Sequence, residues 1–203
     1  PGAITVKFSG GNLPLAVSVV VDVSTLYVKV DLVGTARVET SAVIGLGGIA
    51  KAASLLGLDD VEAKGNSLAN TLTGNALNNV LIGGDGDDTF FGRAGKDNLE
   101  GDAGADRFAW LRVQDGKDVI RDFSPDDGDV LDFGRIVTGF TPGLSDVDEF
   151  LSLSQGKKGA VVSLDVDGAL GSAEAQAFAV LVGVDAASTT AETLVDDGNI
   201  LLA

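Results

Sequence analysis

Residues 65–109 read GNSLANTLT, GNALNNVLI, GGDGDDTFF, GRAGKDNLE and GDAGADRFA, five consecutive nonapeptides without a gap. Position one is always glycine: Gly65, Gly74, Gly83, Gly92 and Gly101. Position six is Asn70, Asn79, Asp88, Asp97 and Asp106, and position eight is Leu72, Leu81, Phe90, Leu99 and Phe108. Position four changes from Leu68 and Leu77 to Gly86, Gly95 and Gly104. A fixed short period of this kind is the signature of a stacked repeat architecture.

The physical reading of one repeat follows from its residue types. Positions one to six are Gly-rich because the chain must turn sharply, with some residues at positive φ. Positions seven to nine form a very short strand whose central side chain points inward. Leu72, Leu81, Phe90, Leu99 and Phe108 are therefore expected to stack as a hydrophobic ladder. Two repeats make one coil with a strand on each side, so turns two repeats apart lie above one another. Each turn then aims backbone carbonyls and a position-six carboxylate into the gap between coils. Carboxylates stacked without a cation would repel one another. Several hard oxygen ligands of mixed carbonyl and carboxylate type suit Ca²⁺, with Mg²⁺ second because it prefers fewer protein oxygens and tighter octahedral geometry.

The segment resembles the RTX repeat family, whose nonapeptide is GGxGxDxUx and whose fold is a right-handed parallel β-roll. Gly83-Gly84-Asp85-Gly86-Asp87-Asp88-Thr89-Phe90-Phe91 follows that pattern throughout. In the family, one turn gives the carbonyls of positions two and four and the position-six Asp. The turn two repeats later gives the carbonyls of positions one and three and its own Asp. The resemblance thus implies a Ca²⁺ site from Gly84, Gly86 and Asp88 with Gly101, Ala103 and Asp106. On the opposite edge, Arg93, Gly95 and Asp97 are expected to face residues 110–115, including Arg112, with Asp115 in register and Trp110 in the place of glycine. The first two repeats depart from the pattern at Leu68, Leu77, Asn70 and Asn79, and are read as coils closed by Asn hydrogen bonds, metal-free or weakly binding. Weaker sites there would join Asn75, Leu77 and Asn79 to Gly92, Ala94 and Asp97, and the first repeat to Gly83, Asp85 and Asp88.

Downstream, Asp118-Val119-Ile120-Arg121-Asp122-Phe123 and Gly128-Asp129-Val130-Leu131-Asp132-Phe133 alternate apolar and acidic residues around the turn Ser124–Gly128, which reads as a hairpin closing the roll. This resembles the D-x-I-x-D-F…G-D-x-L-D segment that follows RTX repeats in many secreted proteins. It implies Asp118 as the ligand completing the last site, ahead of Asp122. Further on, Ser145 is expected to cap a helix to about Leu153, with Asp148 at its third position. Lys158–Asp165 and Ala177–Val184 read as strands, with Val166-Asp167-Gly168 as a turn. Thr189 or Thr190 caps a short helix ending near Gly198, and Asn199–Ala203 forms an apolar tail. The run resembles the C-terminal target region of type I secretion substrates, most like that of large RTX adhesins.

Upstream, Ile4–Phe8, Ala16–Val23 and Leu26–Val33 read as strands and Ile49–Leu58 as a short helix. The expected organisation is a β-rich cap or tail of a preceding domain over 1–64, a β-roll over 65–117, and a C-terminal cap and secretion target region over 118–203. The fold class is mainly β: a parallel β-solenoid with flanking strands and a few short helices.

Composition bounds the function. A net charge of −16 and a pI near 4.1 disfavour nucleic acid and anionic membranes as partners. The chain has no Cys and no His, which removes disulfides, imidazole metal ligands and every triad built on histidine, so no enzyme is expected here. Leu15–Val23 is too short to span a membrane. No basic stretch followed by an apolar one marks an N-terminal signal, and a chain opening Pro1-Gly2 is expected to be part of something longer.

These readings converge on a Ca²⁺-binding module that folds on export through type I secretion machinery, at the C-terminal end of a larger adhesin-like protein. It would be secreted, extracellular or on the cell surface. The alternative is the accessory module of a secreted metalloprotease, lipase or alginate epimerase whose catalytic part lies elsewhere. A carbohydrate-binding roll is a poorer third, since Trp110 and Tyr27 are the sole Trp and Tyr.

Overall fold

Short strands with one inward side chain each cannot bury that side chain alone, so they stack. In the computed structural model, residues 62–168, 171 and 173–203 are described in full, and before residue 62 only the backbone of the strands. The strands before the repeats are β1 (Thr5–Ser9), β2 (Ala16–Asp22), β3 (Tyr27–Val33), β4 (Ser41–Gly45), β5 (Ala52–Leu56) and β6 (Val61–Lys64). Through the repeats run β7 (Thr71–Thr73), β8 (Val80–Asp85), β9 (Thr89–Phe91), β10 (Asn98–Ala103) and β11 (Arg107–Ala109). After them come β12 (Asp118–Ile120), β13 (Val130–Asp132), β14 (Leu151–Gln155), β15 (Gly159–Leu164), β16 (Gln176–Val182), the helix α1 (Ala191–Asp196) and β17 (Ile200–Leu201).

Two sheets face each other, in the orders β1-β4-β6-β8-β10-β12-β16-β15-β14 and β17-β13-β11-β9-β7-β5-β3-β2. Successive strands of the repeats alternate between the sheets, and every pairing from β4 through β12 to β16 and from β3 to β17 is parallel. The architecture is a parallel β-roll.

Position eight forms two columns. Ala63, Leu81, Leu99, Ile120 and Leu181 stand in register in one sheet. Leu72, Phe90, Phe108, Leu131 and Ile200 do so in the other. All are buried, and the Phe90 and Phe108 rings stack at 5.0 Å with 13° between planes. Burying a side chain of this size contributes roughly 1.5–3 kcal/mol, and a stacked aromatic pair about 0.5–1.5 kcal/mol more.

Three expected elements differ. The stretch after the repeats is not a hairpin: β12 and β13 lie in different sheets, each parallel to the preceding coil. Ile120 and Leu131 fit the two apolar columns, and burial in a column outweighs local antiparallel pairing. Residues Ala52–Leu56 form strand β5 between β3 and β7, where a helix was expected; Ile49–Lys51, Gly57 and Leu58 lie outside the described residues. Cross-strand pairing on both sides overrides a weak helical pattern.

The expected helix from Ser145 is a single 3₁₀ turn, Val147–Glu149, followed by β14. Asp146 caps it by accepting the Asp148 N–H, while Ser145 Oγ accepts the Thr141 N–H. β14 pairs antiparallel with β15, and β15 antiparallel with β16, so the strand direction reverses at this end of the first sheet. α1 is short as expected, with Thr190 Oγ1 accepting the Thr193 N–H and Gly198 at φ 82° after it.

Candidate metal centre

Position six is where the coils are tied together. The backbone N–H of Asp88 donates to Asp106 Oδ1 at 2.8 Å, and that of Asn70 to Asp88 Oδ1 at 2.6 Å. On the opposite edge, the N–H of Asn79 donates to Asp97 Oδ1 at 2.6 Å. Each bond spans one coil, so the same contact that sets the register also stacks the carboxylates. Asp88, Asp97, Asp106, Asp118 and Asp129 are all buried.

The turns come in two kinds. In the Gly-rich kind, position two takes positive φ at Gly84, Arg93 and Asp102, and position four at Gly86, Gly95 and Gly104. This opens the turn, which Leu at position four would resist. In the first two repeats, Asn66 Oδ1 accepts the N–H of Leu68 and the amide of Asn70, while Asn70 Oδ1 accepts the N–H of Asn66. Asn75, Leu77 and Asn79 repeat the arrangement. A neutral amide offers both donor and acceptor, so these coils close on themselves.

A carboxylate offers no donor, and the aspartate turns show it. Oδ2 of Asp88 and Oδ2 of Asp106 are buried with no hydrogen-bond partner. An added Cβ on Gly83 would overlap Asp88 Oδ2 and lie 2.8 Å from the Gly101 carbonyl oxygen. Position-one glycine therefore keeps open a gap lined by a carboxylate from one turn and a carbonyl from the turn one coil on. Gly101 and Asp88 are brought together there, with Asp106 tied to Asp88, while the Ala103 carbonyl accepts the Gly86 N–H at 2.7 Å. Gly101 holds Asp106 Oδ2 in the same way one coil on, and a gap lined by an orphaned carboxylate oxygen and a carbonyl fits a cation held by oxygen.

The electrostatics agree. Burial pushes the Asp88 carboxyl up to about 7, with the Asp106 charge adding to it. Burial raises Asp106 to about 6, helped by Asp129 and Asp122. Asp118 is pushed to about 8 by burial and then by Asp97, against hydrogen bonds from the Asp97 N–H and the Trp110 indole. Asp129 is raised by burial too. A column of acids this reluctant to ionise lacks positive charge beside it.

The second edge departs from the sequence expectation. β12 pairs with β10 so that Asn98 faces Val119, and the N–H of Asp97 donates to Asp118 Oδ1, 21 residues on. Residues 110–112 are inserted ahead of a degenerate repeat over 113–121. Asp118, not Asp115, is therefore the position-six partner of Asp97. The Asp115 carboxylate instead accepts the N–H groups of Leu111 and Arg112, which places both residues in a local turn. Arg112 is exposed and falls within the inserted residues, while Gly116 N–H donates to the Arg93 carbonyl and Gly116 sits against Gly95. A Cβ on Gly92 would lie 2.5 Å from Asp97 Oδ2 and 3.2 Å from Asp118 Oδ2, so these two carboxylates converge on the same kind of gap.

Sequence reasoning missed Asp129. The N–H of Asp106 donates to Asp129 Oδ1 across 23 residues, and Asp129 Oδ2 accepts the Ser124 N–H. Residues 124–132 are thus another degenerate repeat, displaced by Asp122 and Phe123 as well as by 110–112. The signal was there: Asp118-Val119-Ile120 and Asp129-Val130-Leu131 both keep positions six to eight. Asp122 sits off that column, its oxygens accepting the N–H groups of Gly101 and Asp102, with Glu100 and Asp102 carboxylates close by.

Comparison with known proteins puts a name to these turns. Residues 65–108 match the family model of the RTX calcium-binding nonapeptide repeat, in four copies. The segment is an RTX calcium-binding β-roll, and the cation its repeats bind is Ca²⁺. The match covers well under half of the chain. No curated protein matches the sequence. Similar solved structures include the AlgE6R3 subunit of Azotobacter vinelandii mannuronan C5-epimerase, at 26% identity over 68% of this chain and 81% of that one, TM-score 0.27. The AlgE6R2 subunit of the same enzyme matches at 26% over 69% and 91%, TM-score 0.28.

Proposed function

We propose that this chain is the calcium-dependent folding module of a larger exported protein, held open in the cell and closed by Ca²⁺ outside it. The observation that carries the reading is the pair of buried, partnerless carboxylate oxygens on Asp88 and Asp106, in turns whose glycines leave room for an ion. The first-edge site takes the carbonyls of Gly84, Gly86, Gly101 and Ala103 with the carboxylates of Asp88 and Asp106. The second takes the carbonyls of Arg93 and Gly95 and the carboxylates of Asp97 and Asp118. There the inserted residues put the carbonyls of Val113 and Asp115 in the roles assigned by sequence to residues 110 and 112.

Extracellular calcium modules bind with Kd on the order of 10⁻⁴–10⁻³ M, far above cytosolic supply. Without the ion, the acids must either stay protonated against their preference or repel one another, which favours an open chain able to pass a narrow channel. Outside, binding to the folded form alone stabilises it. The C-terminal run from Asp165 to Ile200 supports recognition by type I secretion machinery, and its likeness to adhesin C-termini supports an adhesin-like whole. The chain contributes no histidine or cysteine to any catalytic step.

Circular dichroism of chelator-treated protein, titrated with Ca²⁺ and with Mg²⁺ as control, tests the folding claim. A cooperative gain of β-signal with Ca²⁺ alone is expected. A chain fully folded and indifferent to calcium would sink it. Export from a host carrying a type I apparatus, lost when 186–203 are removed, tests the secretion claim; unchanged export would refute it.

A further inference from the structure

The second-edge gap differs from the first in one respect. On the first edge, Asp106 Oδ2 has no hydrogen-bond partner. On the second, the corresponding oxygen, Asp118 Oδ2, accepts the indole N–H of Trp110 at 3.0 Å. Trp110 is the only Trp of the chain and the first of the three inserted residues. Its placement is over-determined: it is buried, its ring stacks on Phe133 at 4.5 Å, and its backbone N–H donates to the Asp132 carbonyl at 3.1 Å.

We propose that Trp110 is a positioning residue for calcium at Asp97 and Asp118, its indole N–H fixing the carboxylate oxygen of Asp118 that faces the ion. The inference rests on the calcium reading above and goes beyond it. Asp118 Oδ1 is fixed by the Asp97 N–H and Oδ2 by the indole, so neither torsion of the side chain is free. An ionised carboxylate has about four lone-pair sites, so one N–H on Oδ2 leaves room on the same oxygen for a cation. The indole is neutral, so it orients the ligand without cancelling the charge the ion needs. A buried indole also wants an acceptor for its own sake; what separates the two roles is the effect on calcium. Outer partners of metal ligands are commonly worth about tenfold to a hundredfold in affinity.

The test is calorimetry of Ca²⁺ binding to the whole chain and to Trp110→Phe, which keeps a ring against Phe133 and removes the N–H. One class of site should weaken by about tenfold to a hundredfold, with the others unchanged. A Trp110→Phe isotherm that superimposes on wild type overturns the proposal. Should that variant fail to fold, Tb³⁺ luminescence of the wild-type chain, excited through the indole, decides. Sensitised emission abolished by Asp118→Asn and kept by Asp88→Asn supports the proposal. A chain that binds Ca²⁺ normally but sensitises no Tb³⁺ overturns it. A wild-type chain that takes up no Ca²⁺ in calorimetry would instead overturn the calcium reading itself.

Discussion

Asp106 Oδ1 accepts the backbone N–H of Asp88 across a full coil at 2.8 Å, while the other oxygen of the same carboxylate is buried without a donor. One side chain thus both fixes the stacking of two coils and creates a demand for positive charge. The earlier Asn turns spend their side-chain amides within the turn and create no such demand.

That contrast predicts opposite effects from one substitution. Asp88→Asn should stabilise the calcium-free roll, by about 1–3 kcal/mol, because it removes a desolvated carboxylate. It should also weaken calcium binding at the first-edge site by roughly a hundredfold. Chemical denaturation in chelator and calorimetry in Ca²⁺ measure the two; a variant less stable in both conditions would contradict the account.

The pH dependence of the calcium-free form follows from the raised carboxyls. In the unfolded chain these acids titrate near 3.8, and in the folded one at about 7 for Asp88, 6 for Asp106 and 8 for Asp118. Between those values the folded state holds protons that the unfolded state has released, so stability falls as pH rises. The metal-free roll should be most stable at about pH 4 and below, and lose that stability progressively until the folded carboxyls have titrated, near pH 6–8. Calcium binding should release protons over the same range. Thermal melts in chelator at several pH values check this, and a melting temperature that rises from pH 5 to 8 would refute it.

The 21-residue register separates two neighbouring acids. Asp118→Asn should abolish the second-edge calcium site. Asp115→Asn should leave Ca²⁺ affinity within a few-fold and cost only about 1 kcal/mol through weakened bonds to Leu111 and Arg112. Calorimetry of the pair decides; equal losses of calcium from both would show that the register is wrong.

Gly83 is required for space and not for a special φ. Gly83→Ala should push Asp88 off its position, costing about 1–3 kcal/mol and lowering calcium affinity by roughly tenfold. Normal calcium binding by this variant, measured by titration, would remove the gap from the account.

Much of the roll is written locally. The Gly at position one, the acid or amide at six and the apolar residue at eight each answer to a contact with the next coil, so their period exposes the stack. What lay hidden depends on distant pairing. Asp129 escaped because five residues, 110–112 with Asp122 and Phe123, displace it from the period. Trp110 read as a failed glycine because only the fold reveals Asp118 beside its indole. Ala52–Leu56 and Leu151–Leu153 looked helical over a few residues, yet each lies where a neighbouring strand offers backbone partners.

The reversal of strand direction at β15 has a meaning for assembly. A repeat of constant pitch ends in an edge that matches its own beginning, an open template on which further copies could add without limit. Here the first sheet turns antiparallel and finishes on a strand bearing exposed Ser152, Ser154 and Gln155. The second finishes on two residues, Ile200 and Leu201. The edge of the first sheet does not repeat the spacing of the coils beneath it, so that edge is a poor template for fibre growth.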